Sequence, residues 1–141
     1  MSKKTIVFDF DGVIHLGYEG WKDGTIYGTI NWRLLAYIKE LLEDYYVVIS
    51  TNRPALQIVN YFNGRESSLK FEVFKKDLDK NMYWEKDGII GVTNEKAVGI
   101  LYIDDRAYRY DKNIGIYENI HNIKKILDRK DESLKGADNI E

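Results

Sequence analysis

The sequence predicts an α/β domain built on a mainly parallel sheet. Two observations carry the prediction. Short β-branched and aromatic runs alternate with segments of helical period, and the strongest runs are continuously apolar rather than alternating. Continuous runs are what strands buried on both faces of a parallel sheet require, since crossover helices cover both sides. The length, 141 residues, suits one domain.

The elements follow in order. Residues 5–8 (TIVF) form the first buried strand. Residues 10–28 carry glycines at 12, 17, 20, 24 and 28, too many for a regular helix, and read as an irregular or hairpin-like excursion. Over 31–42, Leu34, Leu35, Ile38, Leu41 and Leu42 share a helical face, with Thr29 or Asn31 as N-cap. Residues 46–49 (YVVI) form the second buried strand. A short helix with Leu56, Ile58, Val59 and Phe62 then ends near Asn63-Gly64. From Ser67 to Asp87 the pattern is ambiguous. Leu69, Phe71 and Val73 alternate like a strand, whereas 77–84 reads as more helical. Residues 88–93 and 99–103 are strands, and Ile120, Ile123, Ile126 and Leu127 mark a closing helix. The expected organisation is one domain over 1–128 and a charged tail or helix end over 129–141.

Composition removes several function classes. With no cysteine there is no disulfide scaffold, thiolate zinc site or cysteine nucleophile. A net charge of -2 argues against a protein that grips nucleic acid over its whole surface. The longest apolar runs are far shorter than the ~20 residues a membrane helix needs. The opening residues lead into a strand rather than a signal-peptide core, so the expectation is a cytoplasmic protein without a membrane partner.

The chemistry gathers at strand ends. The first strand runs into Asp9-Phe10-Asp11-Gly12 and the second into Ser50-Thr51-Asn52-Arg53. The 99–103 strand runs into Asp104-Asp105-Arg106, with Lys96 just before it. Ligands of open parallel sheets bind beyond the carboxyl ends of the strands, so these groups are expected on one rim. Gathered carboxylates repel, and a hard cation such as Mg²⁺ offsets the repulsion. Asp9 and Asp11 face the same crevice while Phe10 turns to the core, leaving its carbonyl as a further metal oxygen. Gly12 relieves the sharp turn. One of the two acids suits attack on phosphorus and the other protonation of the leaving oxygen. Asp104 and Asp105 then hold the metal, and Lys96 and Thr51 the phosphoryl oxygens. Gly12, Asn52, Arg53 and Arg106 are candidate substrate-binding positions, and Arg53 and Arg106 read equally as structural partners of the carboxylates.

Asp9-Phe10-Asp11-Gly12-Val13, Thr51, Lys96 and Asp104-Asp105, in that order, resemble the four motifs of the haloacid dehalogenase superfamily. The strings FDFDGVIH, VVISTNR and TNEKAVGILYIDDRAYRY and the Trp21-containing loop are similar to small phage and bacterial members, and the resemblance covers residues 6–110. It implies a three-layer Rossmannoid phosphohydrolase with an aspartyl-phosphate intermediate. Asp9 is then the nucleophile, Asp11 the general acid/base, Thr51 a phosphate ligand and Lys96 the steadying cation. Asp9, Asp11, Asp104 and Asp105 form the Mg²⁺ set. Thr51-x-Arg53 resembles the second motif of polynucleotide kinase 3′-phosphatase domains, in which the arginine helps hold the substrate phosphate. That places the motif on Thr51, with Ser50 as the fallback. The family's third motif often has Pro after the lysine; here it is Ala97. The segments between the motifs are used by core elements, so a capless form is expected, with a phosphorylated metabolite, nucleotide or nucleic-acid end as substrate. A homo-oligomer is left open.

Other readings stand beside this one. Asp-x-Asp-Gly begins like an EF-hand loop, but the twelfth position from Asp9 is Gly20, not Glu. In a response-regulator receiver the acid pair comes first and the lysine last, the reverse of the order here. A non-catalytic phosphate-binding or assembly module with the same fold is the alternative function. The role of His15 is open. Trp21, Tyr27, Trp32, Trp84, Tyr108 and Tyr110 suit either core packing or stacking on nucleobases.

Overall fold

A computed structural model describes residues 3–65, 68–77, 79–80 and 82–138, with side chains as far as residue 129. The order is β1 (Lys4–Asp9), β2 (His15–Leu16), β3 (Thr29–Ile30), α1 (Trp32–Leu41), β4 (Tyr45–Ser50), α2 (Ala55–Asn63), β5 (Lys70–Val73), β6 (Ile89–Thr93), β7 (Leu101–Ile103) and α3 (Ile116–Asp138). Packing divides the chain into two compact units, Met1–Asp105 and Arg106–Glu141. Of the two readings of residues 129–141, tail or helix end, residues 129–138 are helical and complete α3. Residues 139–141 of the expected tail, and Ser67, lie outside the described residues.

The first unit is an α/β fold around a five-stranded sheet in the order β5-β6-β4-β1-β7, with every pairing parallel. β1 is flanked by β4 and β7, so the chain turns back on itself about this strand. Such a reversal opens a crevice beyond the strand ends. Asp9 pairs in register with Ser50, and Phe8 with Ile103. The strand ends that carry the acids and hydroxyls are therefore adjacent.

Alternation along β1 and β4 splits the core. Ile6, Phe8, Val47 and Ile49 belong to a large apolar cluster with Leu35, Ile38, Ile58 and Phe62 of α1 and α2. Val7 and Val48 point to the opposite face and pack with Phe74, Trp84 and Ala97. Each fully buried Phe or Ile is worth about 1.5–3 kcal/mol. Asn31 caps α1, its Oδ1 accepting the Leu34 N–H at 3.2 Å; Thr29, the other candidate cap, lies in β3. Leu56, expected on the apolar face of α2, is exposed. The 10–28 excursion closes as a small hairpin, with β2 and β3 antiparallel.

The helix expected over 77–84 does not form among the described residues. Asp77 accepts the Asp79 N–H on its own side chain (3.0 Å) and the Lys80 N–H on its carbonyl (3.1 Å), which commits the segment to a turn. Trp84 is buried, tilted against Phe74, with its indole N–H donated to the Ile89 carbonyl at 2.8 Å. A single tertiary anchor thus overrides a weak helical pattern.

In the second unit, Asn119 is buried and fully hydrogen-bonded. Its Oδ1 accepts from Tyr108 Oη (2.8 Å) and the Asp111 N–H (3.0 Å). Its Nδ2 donates to the Asp111 and Gly115 carbonyls. This one side chain ties residues 108–115 to the first turns of α3. Among the described residues no helix is long and apolar enough to cross a membrane.

Gly91 lies beneath the Trp84 ring, and a Cβ there would come within 2.6 Å of ring carbons. The ring is buried and hydrogen-bonded, so it cannot swing aside cheaply. Gly91→Ala is expected to destabilise the protein by about 1–3 kcal/mol, read as a lower midpoint in urea with an unchanged slope.

Candidate functional site

Residues at the ends of β1, β4 and β7 form the site. Asp9, Asp104 and Asp105 each offer a carboxylate oxygen within 4.8 Å of the others. Asp9 is half-buried and the pair from the end of β7 is exposed. Burial, helped by the Asp104 charge, pushes the Asp9 carboxyl up to about 6, against a downward pull from the Phe10 N–H. That N–H donates to Asp9 Oδ1 at 3.0 Å, so Oδ2 carries no bond to it.

Gly12 makes the acid cluster possible. Its φ is +90°, and a Cβ there would fall 2.2 Å from Asp105 Oδ2. Only a glycine both adopts this backbone and leaves room for the carboxylate. The Phe10 carbonyl, expected as a metal oxygen, is instead taken by the N–H groups of Val13, Ile14 and His15. The Phe10 ring points into the core, as its position between two rim acids requires.

Asp11 lies outside the three-acid cluster and inside a cationic clamp. Arg53, fully buried, donates from Nε to Asp11 Oδ2 (2.9 Å) and from Nη2 to Oδ1 (3.1 Å). The other edge of the guanidinium donates to the Gly24 carbonyl (2.7 Å) and the Thr25 carbonyl (3.4 Å). Arg53 therefore latches the 17–28 loop to Asp11. Gln57, one helical turn after Arg53, adds a 2.6 Å bond to the same Gly24 carbonyl. Spacing along α2 was the signal for Gln57, which sequence reasoning missed.

His15 completes the clamp, and its tautomer follows from its partners. The Gly28 N–H donates to Nε2 at 2.7 Å, so Nε2 is the bare nitrogen. Nδ1 then carries the hydrogen and donates to Asp11 Oδ1 at 2.7 Å. The ring is buried, stacked on Phe10 and edge-on to Tyr27. In this geometry His15 positions Asp11, and neither nitrogen is open to a substrate. Asp11 Oδ2, with one bond accepted, keeps a lone pair for proton transfer.

Asp9, Ser50, Lys96, Tyr102 and Asp104 line a cavity of about 160 Å³. Ser50 shares the Asp9 face of the sheet through the β1–β4 register. Thr51 is buried, with Oγ1 accepting the Arg53 N–H at 3.0 Å and its own N–H donated to the Thr93 carbonyl. Ser50 is thus the hydroxyl residue beside Asp9 in this cavity, and Thr51 shapes the turn that presents Arg53. Lys96 is exposed, and the buried Ala97 after it packs with Val7 and Val48, anchoring the loop. Tyr102 fastens that loop, donating to the Ala97 carbonyl (2.8 Å) and accepting the Gly99 N–H (3.1 Å). Asn52 is exposed in the turn before α2, and Arg106 begins the second unit. Larger cavities of about 350 and 360 Å³ share no lining residue with this one.

Three converging carboxylates suit a hard divalent cation, which would relieve the repulsion that adds to burial in raising Asp9. The folded Asp9 carboxyl sits near 6 and the unfolded one near 3.8. Its contribution therefore favours folding at low pH and is lost as pH rises through that interval. Metal-free Asp9→Asn is expected to melt at a higher temperature than the wild-type chain at pH 8, with the difference narrowing toward pH 4, in thermal scans with EDTA.

The clamp makes its own prediction. Asn in place of His15 keeps a donor near the Nδ1 position, whereas Gln keeps an acceptor near Nε2. His15→Asn should hold Asp11 while freeing Gly28, and His15→Gln the reverse. Amide hydrogen exchange at Gly28 is expected to accelerate in the Asn variant more than in the Gln variant.

The chain matches no protein-family model, no curated protein and no solved structure at a significant level.

Proposed function

We propose that this chain is a Mg²⁺-dependent phosphomonoesterase of the haloacid dehalogenase type, working through an aspartyl-phosphate on Asp9. The observation that carries the reading is the division of four rim acids into two environments. Asp9, Asp104 and Asp105 converge within 4.8 Å, while Asp11 is set apart between Arg53 and His15. Phosphoryl transfer to a carboxylate and back needs such a division: one acid attacks, another moves protons, and the rest neutralise charge. The order of the motifs along the chain supports the same family.

In this reading Asp9 Oδ2 bonds to phosphorus as the ester P–O bond breaks. Asp11, entering this step with a proton on Oδ2, gives that proton to the departing oxygen and is left as the carboxylate paired with Arg53. It then takes a proton from a water that attacks the phospho-Asp9, releasing inorganic phosphate and restoring the Asp9 carboxylate and the protonated Asp11. Lys96, on the Asp9 side of the cavity, steadies the phosphoryl oxygens, with Ser50 or Thr51 as hydroxyl donor. Asp9, Asp104 and Asp105 would hold the divalent cation, which would supply charge neutralisation for the same oxygens. The clamp fixes Asp11 by geometry, and the latched loop fixes one wall of the approach to it.

The test is hydrolysis of a generic phosphate ester. Asp9→Asn is expected to lose at least about a thousandfold in kcat while retaining its fold by circular dichroism. EDTA is expected to silence the wild-type protein and Mg²⁺ to restore it. Wild-type turnover by Asp9→Asn, or activity indifferent to EDTA, would overturn the reading. Phosphate binding with no turnover of any ester would favour a non-catalytic phosphate-binding module.

A further inference from the structure

The 17–28 loop is far more constrained than a surface loop needs to be. Besides the two latches on the Gly24 carbonyl, Tyr27 Oη accepts the Glu19 N–H (2.6 Å) and donates to the Gly20 carbonyl (2.7 Å). Asp23 Oδ1 accepts from both the N–H and the hydroxyl of Thr25. The Tyr18 and Tyr27 rings stack 16° from parallel. At the loop's tip a turn is closed by the Gly24 N–H on the Trp21 carbonyl (2.8 Å). Within it Lys22 has φ +50°, the sole non-glycine positive φ among the described residues. A left-handed lysine is unfavourable and persists only where its surroundings impose it.

This construction holds Trp21 half in solvent. Its ring lies 5.0 Å from the Arg53 guanidinium, and Gly24 passes so close that a Cβ there would fall 2.7 Å from the ring. Yet the residue is 50% exposed. The indole is therefore packed against a glycine and a buried cation and still offers half its surface to solvent. Arg53 bridges the ring to Asp11, so the exposed aromatic stands one side chain from the acid assigned to the leaving group. A fixed aromatic plane loses little conformational entropy when a flat ligand stacks on it.

We propose that Trp21 is a stacking platform for the nucleobase of the substrate, so that the esters this site prefers are nucleotides or nucleic-acid ends rather than sugar or glycerol phosphates. This rests on the phosphomonoesterase reading and deepens it. Stacking is tolerant of base identity, because every base has a π-face. The site is accordingly selective for the presence of a base and indifferent to which one. Discrimination comes from the latched loop rather than from a separate lid.

The experiment compares adenosine monophosphate with ribose 5-phosphate on the full chain with Mg²⁺. It uses wild type, Trp21→Phe and Trp21→Leu, each checked for folding by thermal melt. The readout is the ratio of kcat/KM for the two esters, together with calorimetric binding of adenosine monophosphate. Trp21→Leu keeps apolar bulk without a plane, and is expected to lower the ratio about tenfold or more, through KM, with binding weakened to match. Trp21→Phe is expected to stay within about threefold. Turnover of both esters with a ratio unmoved by Trp21→Leu would overturn the platform and leave the phosphatase standing. If wild type turns over neither ester, the phosphatase reading falls. Binding that still weakens in Trp21→Leu but not in Trp21→Phe would then sustain the platform, and binding equal in all three would overturn it.

Discussion

The ion pair between Arg53 and Asp11 organises the whole rim. A guanidinium with no exposed surface must be matched by acceptors, and the structure supplies one carboxylate and two loop carbonyls. Removing either charge would leave the other buried and unpaired, at a cost of roughly 3–5 kcal/mol. The pair does three jobs at once. It draws Asp11 away from the other acids, fastens the 17–28 loop, and sets the base on which Trp21 lies. Because one carboxylate is already neutralised by protein, only three acids are left to be neutralised by something else.

That separation gives chemically similar side chains different environments. Asp9 is raised by burial and by Asp104, whereas both Asp11 oxygens accept bonds from fixed donors. No loop rearrangement is needed to distinguish them. β1 places the two acids two residues apart, and the local turn over the Phe10 carbonyl sends them to different partners. Sheet order does the rest, by putting the ends of β4 and β7 on either side.

Much of this was legible in the amino-acid order. The two central strands, the hairpin-like excursion, the Asn31 cap and the end of α2 follow from local patterns, because each is decided by near neighbours. The acids and Lys96 were legible as strand-end chemistry. What was not legible depends on distant contacts. Arg53 reads equally as a substrate ligand and as a partner of the carboxylates until its loop acceptors Gly24 and Thr25 are known, and nothing in VVISTNR encodes them. Ser50 and Thr51 cannot be told apart without the β1–β4 register. The turn at Asp77 and the burial of Trp84 are set by β6 and Phe74, so the residues themselves resemble a weak helix. The second unit's start after Asp105 left no composition shift to find, while the charged stretch from residue 129, which reads as a tail or a helix end, continues α3 to Asp138.

Gly12 and Asp105 occupy one volume, since a carboxylate oxygen of the second fills the place where the first would carry a side chain. The two positions lie nearly the length of the first unit apart in the chain, yet sterically they are a single site. A lineage cannot change residue 12 and retain Asp105 where it is; an altered first position demands a shorter or displaced partner at the second. A change at residue 12 is thereby tied to a shift at Asp105, and the +90° φ resists a side chain there even when the partner yields.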